Sequence, residues 1–283
     1  MNQTKEKFMH GIFLLCACIS IIAVGLICVF LFANGIPAML EIGVFKFIGG
    51  ARWKPGNDIY GILPMILGSI YVTGGAMVVG VPAGILTSIF MAYFCPKKIY
   101  GFLKPAIDLL AGIPSIVYGF FGLMVIVPIV RNFFGGSGAT LLSASILLGI
   151  MILPSVINVS EAALRAVPDN YYEGARALGA THERSVFFTI LPAAKSGVMA
   201  GVILGVGRAI GETMAVVMVA GNQAVIPRGL TKGVRTMTSN IVLEMGYAAD
   251  LHREALIATA VVLFAFILII NACFSILKRS EGL

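Results

Sequence analysis

Long apolar blocks separated by shorter polar segments dominate the chain. A bilayer core asks for about 18–20 largely apolar residues per helix. Six blocks come close to or exceed that length, roughly 11–33, 65–94, 106–130, 140–157, 197–220 and 255–277, and each predicts a transmembrane helix. The intervening segments differ. Residues 34–64 and 221–254 are long and mixed, 95–105 and 131–139 are short, and 158–196 is long, charged and helix-patterned. Lys5 and Lys7 precede the first block as in a signal peptide. That block outruns the h-region of a signal peptide and no small-x-small site follows, so an anchor is expected. Prolines and glycines recur inside the blocks, in "GVPAG" (80–84), "AGIPSIVYG" (111–119), Pro128 and Pro154. Proline removes a backbone donor and clashes with the preceding turn. Kinked helices are therefore expected, in a packed bundle whose neighbours satisfy the freed carbonyls.

Composition supports the same class. Of 283 residues, 59% are hydrophobic and 12% charged, against about 25% charged in soluble domains. Mean hydropathy is +0.98. A soluble globule could not cover its surface with that balance, so the fold class is all-α and polytopic in a membrane. The net charge of +7 is dispersed among loops, which suits anionic headgroups and not a nucleic-acid partner. With both termini cytoplasmic, the inner segments carry slightly more lysine and arginine than the outer ones, in the direction of the positive-inside rule. Cys16, Cys18, Cys28, Cys95 and Cys273 sit in or beside apolar runs as small packing residues, with no disulfide or metal assigned. His10, His182 and His252 are scattered singly and form no metal-ligand cluster. No clustered Ser/His or two-Asp constellation suggests catalysis, so no catalytic residue is assigned and the chain is not expected to be an enzyme. A passive channel remains as an alternative class.

The fifth block, "GVILGVGRAIGETMAVVMVAG" (201–221), carries Arg208 and Glu212. Each charge at mid-membrane costs at least ~2.5–3.5 kcal/mol, so such residues face a bundle interior or a wet cavity. On a continuous helix with Gly197 at 0°, Gly201, Gly205, Ala209 and Thr213 follow at about 40° steps, with Arg208 near 20° and Glu212 near 60°. Both charges thus share the small-residue face, where another backbone can approach. Met199, Ile203, Val206, Ile210, Met214 and Val217 form the opposite arc and suit lipid. Arg208 and Glu212 are also four apart, close enough to pair. One reading is a salt bridge that only fixes packing. The other is a translocation path, with Arg208 offering a guanidinium fork to an oxyanion and Glu212 holding that fork in place or accepting a hydrogen bond from a protonated oxyanion. Thr213, Ser115 and Tyr118 are further candidate hydroxyls for that path. "GVGRAIG" has G-x-G-x-x-x-G spacing and lacks the βαβ context of a dinucleotide site, and no G-x-x-x-x-G-K-[ST] occurs.

In segment 160–197, Pro168 and Asp169 open a helix that continues through "YYEGARAL" to Gly179, a natural left-handed stop. Thr181 can cap a second helix running toward Pro192. The outcome is a compact knob built on Glu173, Gly174, Ala175, Leu178, Gly179 and Ala180. An amphipathic hairpin lying on headgroups is the simpler alternative.

Here the chain resembles the permease subunits of bacterial ABC importers, whose cytoplasmic E-A-A motif has glycine six residues on and Leu-Pro near its end. Glu173-Gly174-Ala175 with Gly179 and Leu191-Pro192 fits, although Gly174 stands where alanine is commoner. The literal "EAA" at 161–163 is out of frame, with Val167 at the glycine position. With "AGIPSIVYGFFG" and "ILPAAKSGVMAGVILGVGRAIGETMAV" included, the likeness is to PstC-type permeases of phosphate-specific importers. The sister PstA type shares "GIPS" but carries a "GETAPL"-like fifth span.

The resemblance implies about six helices of the type I importer permease fold. Residues 1–58 would form an N-terminal helix and external loop, and 59–283 the permease domain with its coupling loop 158–196. It also implies a second homologous permease (PstA type), two ATPase subunits that bind ATP and Mg, an external or periplasmic phosphate-binding protein, and inorganic phosphate as cargo. No cofactor is expected in this chain. Both termini and the knob would be cytoplasmic, in the bacterial plasma (inner) membrane. Arg208 and Glu212 match the family's charged pair on the phosphate path. A related sulfate or molybdate permease is the nearest alternative. Asp108 is expected to be an interfacial acid. Arg228, Lys232 and Arg235 could attract an anion, contact the binding protein, or simply be solvated.

Overall fold

A computed structural model describes residues 3–280. Helix α1 (Gln3–Ile42) leads through α2 (Val44–Gly49) to a small hairpin, in which Trp53–Lys54 pairs antiparallel with Ile59–Tyr60. Then come α3 (Leu63–Phe94), α4 (Lys97–Gly112), α5 (Ser115–Phe134) and α6 (Leu141–Arg165). The knob consists of α7 (Asp169–Ala177) and α8 (His182–Ala193). It is followed by α9 (Lys195–Gly211), α10 (Met214–Val219), α11 (Met237–Glu244) and α12 (Asp250–Ser280). Five helices among the described residues are long and apolar enough to cross a membrane, and a sixth span arises if the bent α8–α9 pair is counted as one.

Helix α6 is the centre of the bundle. Leu147, Leu148, Met151, Ile152 and Val156 are fully buried on it. Glycines set how closely its neighbours approach. A Cβ on Gly80 of α3 would come within 2.6 Å of the Gly149 carbonyl of α6. Gly201 and Gly205 of α9 face Ser160 and Val156 of α6 in the same way. The predicted small-residue face is therefore the packing face of α9. Helices α3 and α6 run in the same direction, while α9 runs against them. On the outside, α1 packs against α12, with Phe32 edge-on to Phe264. Most of its side chains stay exposed, as expected of a helix sheathed in lipid.

Three expectations need correction. The third span is Ser115–Phe134 and not 106–130, because α4 ends at Gly112. Pro114 disfavours helical geometry in the residue before it, and Ile113 is extended there (φ −67°, ψ 127°). Residues 197–220 are not one helix either. Glu212 is extended (ψ 134°) and Thr213 starts a new short helix. Finally, the arc of α9 assigned to lipid is largely covered. Val206 and Ile210 are buried against Met77 and Val81 of α3 and Leu263, Phe266 and Ile270 of α12.

Candidate functional site

Two broken helices meet beside α6. The α4–α5 joint at Ile113–Pro114 and the α9–α10 joint at Glu212–Thr213 are brought together by α5 packing on α10. Gly119 lies against Ala215 and Met218 so closely that a Cβ would sit 3.0 Å from the Ala215 Cα. Tyr118 is buried at this contact, and its hydroxyl donates to the Leu110 carbonyl at 2.8 Å, locking the α4–α5 joint. Ser115 opens α5 half-buried.

The break in the fifth span gives its two charges separate duties. Glu212 Oε1 accepts the Ala215 backbone N–H at 3.2 Å, so the carboxylate caps α10. A negative group at a helix N-terminus is favourable, because unpaired N–H donors and the peptide dipoles converge there. The Glu212 carbonyl accepts from Thr238 Oγ1 at 3.0 Å, and Thr213 Oγ1 donates to the Gly211 carbonyl at 3.2 Å. Arg208 does not pair with Glu212. Its Nη1 donates to Ser155 Oγ at 3.3 Å, and no carboxylate lies within salt-bridge distance of it among the described residues. Ser155 is ten residues from the knob end of α6, about 15 Å along the axis. That is roughly half of an apolar core some 30 Å thick. Arg208 is thus a nearly uncompensated cation at mid-depth, half-buried, beside the exposed Leu204, Gly207 and Gly211.

Below this point, toward the knob, a polar ladder joins α4 to α6. Tyr100, Lys104 and Asp108 repeat every fourth residue on α4. Asn158, Glu161 and Arg165 repeat three and four apart on α6, one turn on from Ser155. Glu161 is the hub, only 2% exposed. It accepts from Tyr100 Oη (2.8 Å), Lys104 Nζ (3.1 Å) and Arg165 Nε (2.9 Å). Asn158 bridges Lys104 (2.9 Å) and Asp108 (3.0 Å). Arg165 stacks over the Tyr100 ring. The hydrogen bond to Glu161, then burial, raises the Tyr100 phenol above its usual range, so it remains a donor. Asp108 is therefore a member of this ladder and not an isolated edge charge. The sequence signal was available as the i, i+4 repeat on α4 facing the out-of-frame "EAA", but hydropathy had merged half of α4 into the next span.

The knob has the predicted shape. α7 ends in a Schellman turn, with Ala180 N–H bonded to the Ala175 carbonyl (3.1 Å), Gly179 N–H to that of Arg176 (3.0 Å), and Gly179 at φ +86°. Thr181 Oγ1 accepts the Arg184 N–H at 3.3 Å. Glu173 and Gly174 are exposed, and Leu178 is 91% exposed at the tip. Ala175, Leu178, Gly179, Ala180 and Phe188 border a cavity of about 610 Å³. His182 was not singled out by the sequence, yet it ties the knob to the bundle. One ring nitrogen meets Tyr172 Oη (2.8 Å), the other the Tyr93 carbonyl (3.2 Å), and Phe94 packs edge-on against it. Tyr93 Oη in turn donates to the Leu164 carbonyl of α6.

At the opposite end, Arg235 is not free to attract an anion. Its Nη1 contacts Glu244 Oε1 at 2.6 Å and Asn240 Oδ1 at 3.0 Å. Glu244 also accepts from Trp53 Nε1 (2.8 Å) and meets His252 Nε2 (2.9 Å).

Comparison with known proteins bears on this geometry. The sequence profile of binding-protein-dependent transport system inner membrane components matches residues 84–281. A probable ABC transporter permease protein, YqgH of Bacillus subtilis (strain 168), is 39% identical over 267 residues, spanning 90% of this chain and 86% of that protein. The phosphate transport system permease protein PstC of Mesorhizobium japonicum is 31% identical over 288 residues, spanning 94% and 88%. Among solved structures, an amino acid ABC transporter superposes with a TM-score of 0.57 at 19% identity, covering 77% of this chain and 93% of that one. The inward-facing MetNI methionine ABC transporter does so with 0.56 at 19%, covering 89% and 96%. The fold is that of type I ABC importer permeases.

Proposed function

The chain belongs to the family of binding-protein-dependent transport system inner membrane components, and from that premise we propose that it is the PstC-type permease subunit of an ATP-driven phosphate importer. The observation that carries the reading is Arg208, a cation at mid-depth whose hydrogen-bond partner is a single serine hydroxyl. Keeping such a group charged in a membrane is costly away from a wet cavity, so an unpaired guanidinium at this depth marks a water-filled path that an anion can enter. A guanidinium fork matches a tetrahedral oxyanion in geometry and charge. Glu212, held at the head of α10, keeps a second carboxylate oxygen for the P–O–H of protonated phosphate. A fully deprotonated oxyanion such as sulfate meets only repulsion there. Thr213, Ser115 and Tyr118 border the same route.

The chain pairs with a second, PstA-type permease across the exposed side of α9, and the path runs between the two. Two ATPase subunits bind ATP and Mg and receive the knob around Leu178 and Gly179, and a phosphate-binding protein docks at the opposite face. No cofactor resides in this chain. The knob and both termini lie in the cytoplasm, and the bundle spans the plasma membrane. Closure of the ATPases pushes the knob, and the His182–Tyr93 contact carries the push into α3 and α6. The joints at 113–114 and 212–213 let α4 and α9 tilt while α5 and α10 stay packed.

Labelled phosphate uptake in cells producing this chain with its partner subunits tests the reading. Arg208→Gln, at equal membrane levels, lowers uptake at least about 30-fold, equivalent to ~2 kcal/mol. Excess sulfate or molybdate leaves wild-type uptake unchanged. Normal transport by Arg208→Gln would reduce that charge to a packing role, and competition by sulfate would change the cargo.

A further inference from the structure

The fold spends Arg235 on Glu244 but leaves a second group of cations at the same end without acidic partners. Arg52, from the hairpin segment, and Arg228 and Lys232, from the loop after α10, line one cavity of about 510 Å³ together with Gln223. No carboxylate lines it, and none of the three cations has an acidic partner within 4 Å among the described residues. Ala51 and Arg52 also line a second cavity of about 630 Å³, which holds Lys46 and the carboxylates Glu41 and Asp58. Arg52 thus stands between the two cavities, while Arg228 and Lys232 line only the one without a carboxylate.

The backbone under these side chains is fastened. The Arg52 carbonyl accepts the Gly61 N–H at 2.9 Å, and neighbouring Trp53 is tied to Glu244. The Lys232 carbonyl accepts the Leu141 N–H at 2.9 Å, that of Leu230 accepts the Leu142 N–H at 2.9 Å, and Lys232 N–H bonds back to Gly229. Gln223 is seated on Gly233, where a Cβ would come within 2.9 Å of its amide carbon. Three like charges converging from two separate segments repel one another, and an anion between them relieves that repulsion. The apolar Val225 and Ile226 in the same wall focus the field of the cations into the cavity. The loop continues directly from α10, whose other end is the Glu212 joint about 9 Å of helix away.

We propose that this cavity is an outer holding site for a tetrahedral oxyanion, occupied after release from the binding protein and before the anion reaches Arg208. The proposal rests on the permease reading above and adds a second anion position to the path. A concave site suits a small anion better than a protein face.

The test uses the complete complex in proteoliposomes, supplied with phosphate-loaded binding protein at graded concentrations. In the triple variant Arg52→Gln, Arg228→Gln, Lys232→Gln, the maximal uptake rate is expected to fall about fivefold or more, equivalent to ~1 kcal/mol. The half-saturating concentration of binding protein stays unchanged. The variant Arg52→Lys, Arg228→Lys, which keeps the charge, retains most of the rate and shows that the loops still fold. A raised half-saturation with an unchanged maximal rate would overturn the proposal and make the patch a docking surface for the binding protein. An unchanged rate and half-saturation would overturn it as well. If the wild-type complex takes up sulfate and not phosphate, the cargo assignment fails on its own, and the same two variants judge the holding site with sulfate.

Discussion

Glu161 shows how one side chain decides the local design. A carboxylate this deeply buried is tolerable only with its charge compensated and its oxygens hydrogen-bonded, and Tyr100, Lys104 and Arg165 supply both. Lys104→Met or Arg165→Met removes one cation and leaves the other. Each is expected to cost ~1.5–3 kcal/mol, the range for a hydrogen bond to a charged group. The double variant costs more than the sum of the two, because the carboxylate is then buried without a counter-charge. Thermal unfolding of the purified complex, followed for the two single variants and the double, reads this coupling; additive shifts would contradict it. Arg208 is the contrasting case. Its neighbour Ser155 lies one turn from Asn158 on the same helix, yet the ladder stops short of it. The charge available to a passing anion is the one that the carboxylates of the fold leave alone.

At the scale of the element, the knob separates shape from docking. Gly179 holds the left-handed position that closes the Schellman turn, where a side chain is strained regardless of space. Gly179→Val is expected to loosen the turn by ~1 kcal/mol or more and to weaken coupling through the altered shape. Leu178 has almost nothing to lose within this chain, being nearly fully exposed. Leu178→Asp should leave the fold and membrane insertion intact while abolishing co-purification of the ATPase subunits. If the ATPases still co-purify in full, the tip of the knob is not the contact. The sequence showed this element clearly, because its turn depends on near neighbours: Gly179, Thr181 and a helical pattern on each side. It did not show His182 as the tether, since Tyr93 lies 89 positions away and a single histidine carries no local pattern.

Across the whole molecule, two nodes hold the ends of the bundle, with the Arg208 region between them. At the knob end His182 ties α7 and α8 to α3. At the other end Glu244 gathers Trp53, Arg235 and His252, fastening the hairpin and α12 to the loop that forms the basic cavity. Glu244→Ala removes the acceptor of Trp53, the partner of His252 and the counter-charge of Arg235 at once, a cost on the order of 3–5 kcal/mol for a broken buried ion pair. Hydrogen exchange should then quicken in residues 43–62 and 223–236 while the amides of α6 stay protected. Unchanged protection in the hairpin would show that apolar packing of Phe47, Ile62 and Met65 suffices to hold this end.

Hydrophobic length and composition by themselves determined that this is a helical membrane protein of about six spans, because the bilayer demands long apolar helices whatever their partners. Local chemistry determined the knob, and the glycine spacing of α9 determined which face meets another backbone. Tertiary structure alone decided the rest. An apolar run reads as one span whether or not its helix breaks, so the joint at Glu212–Thr213 was hidden inside a block of uniform hydropathy, and Pro114 signalled a kink without showing that the span begins only after it. The wheel that paired Arg208 with Glu212 assumed an unbroken helix. Once the chain turns extended at Glu212, the carboxylate caps α10 and the guanidinium meets Ser155 of α6. Which charges are neutralised and which remain available depends on partners brought from distant parts of the chain. Charge, unlike hydrophobicity, has no periodic signature from which those partners can be read.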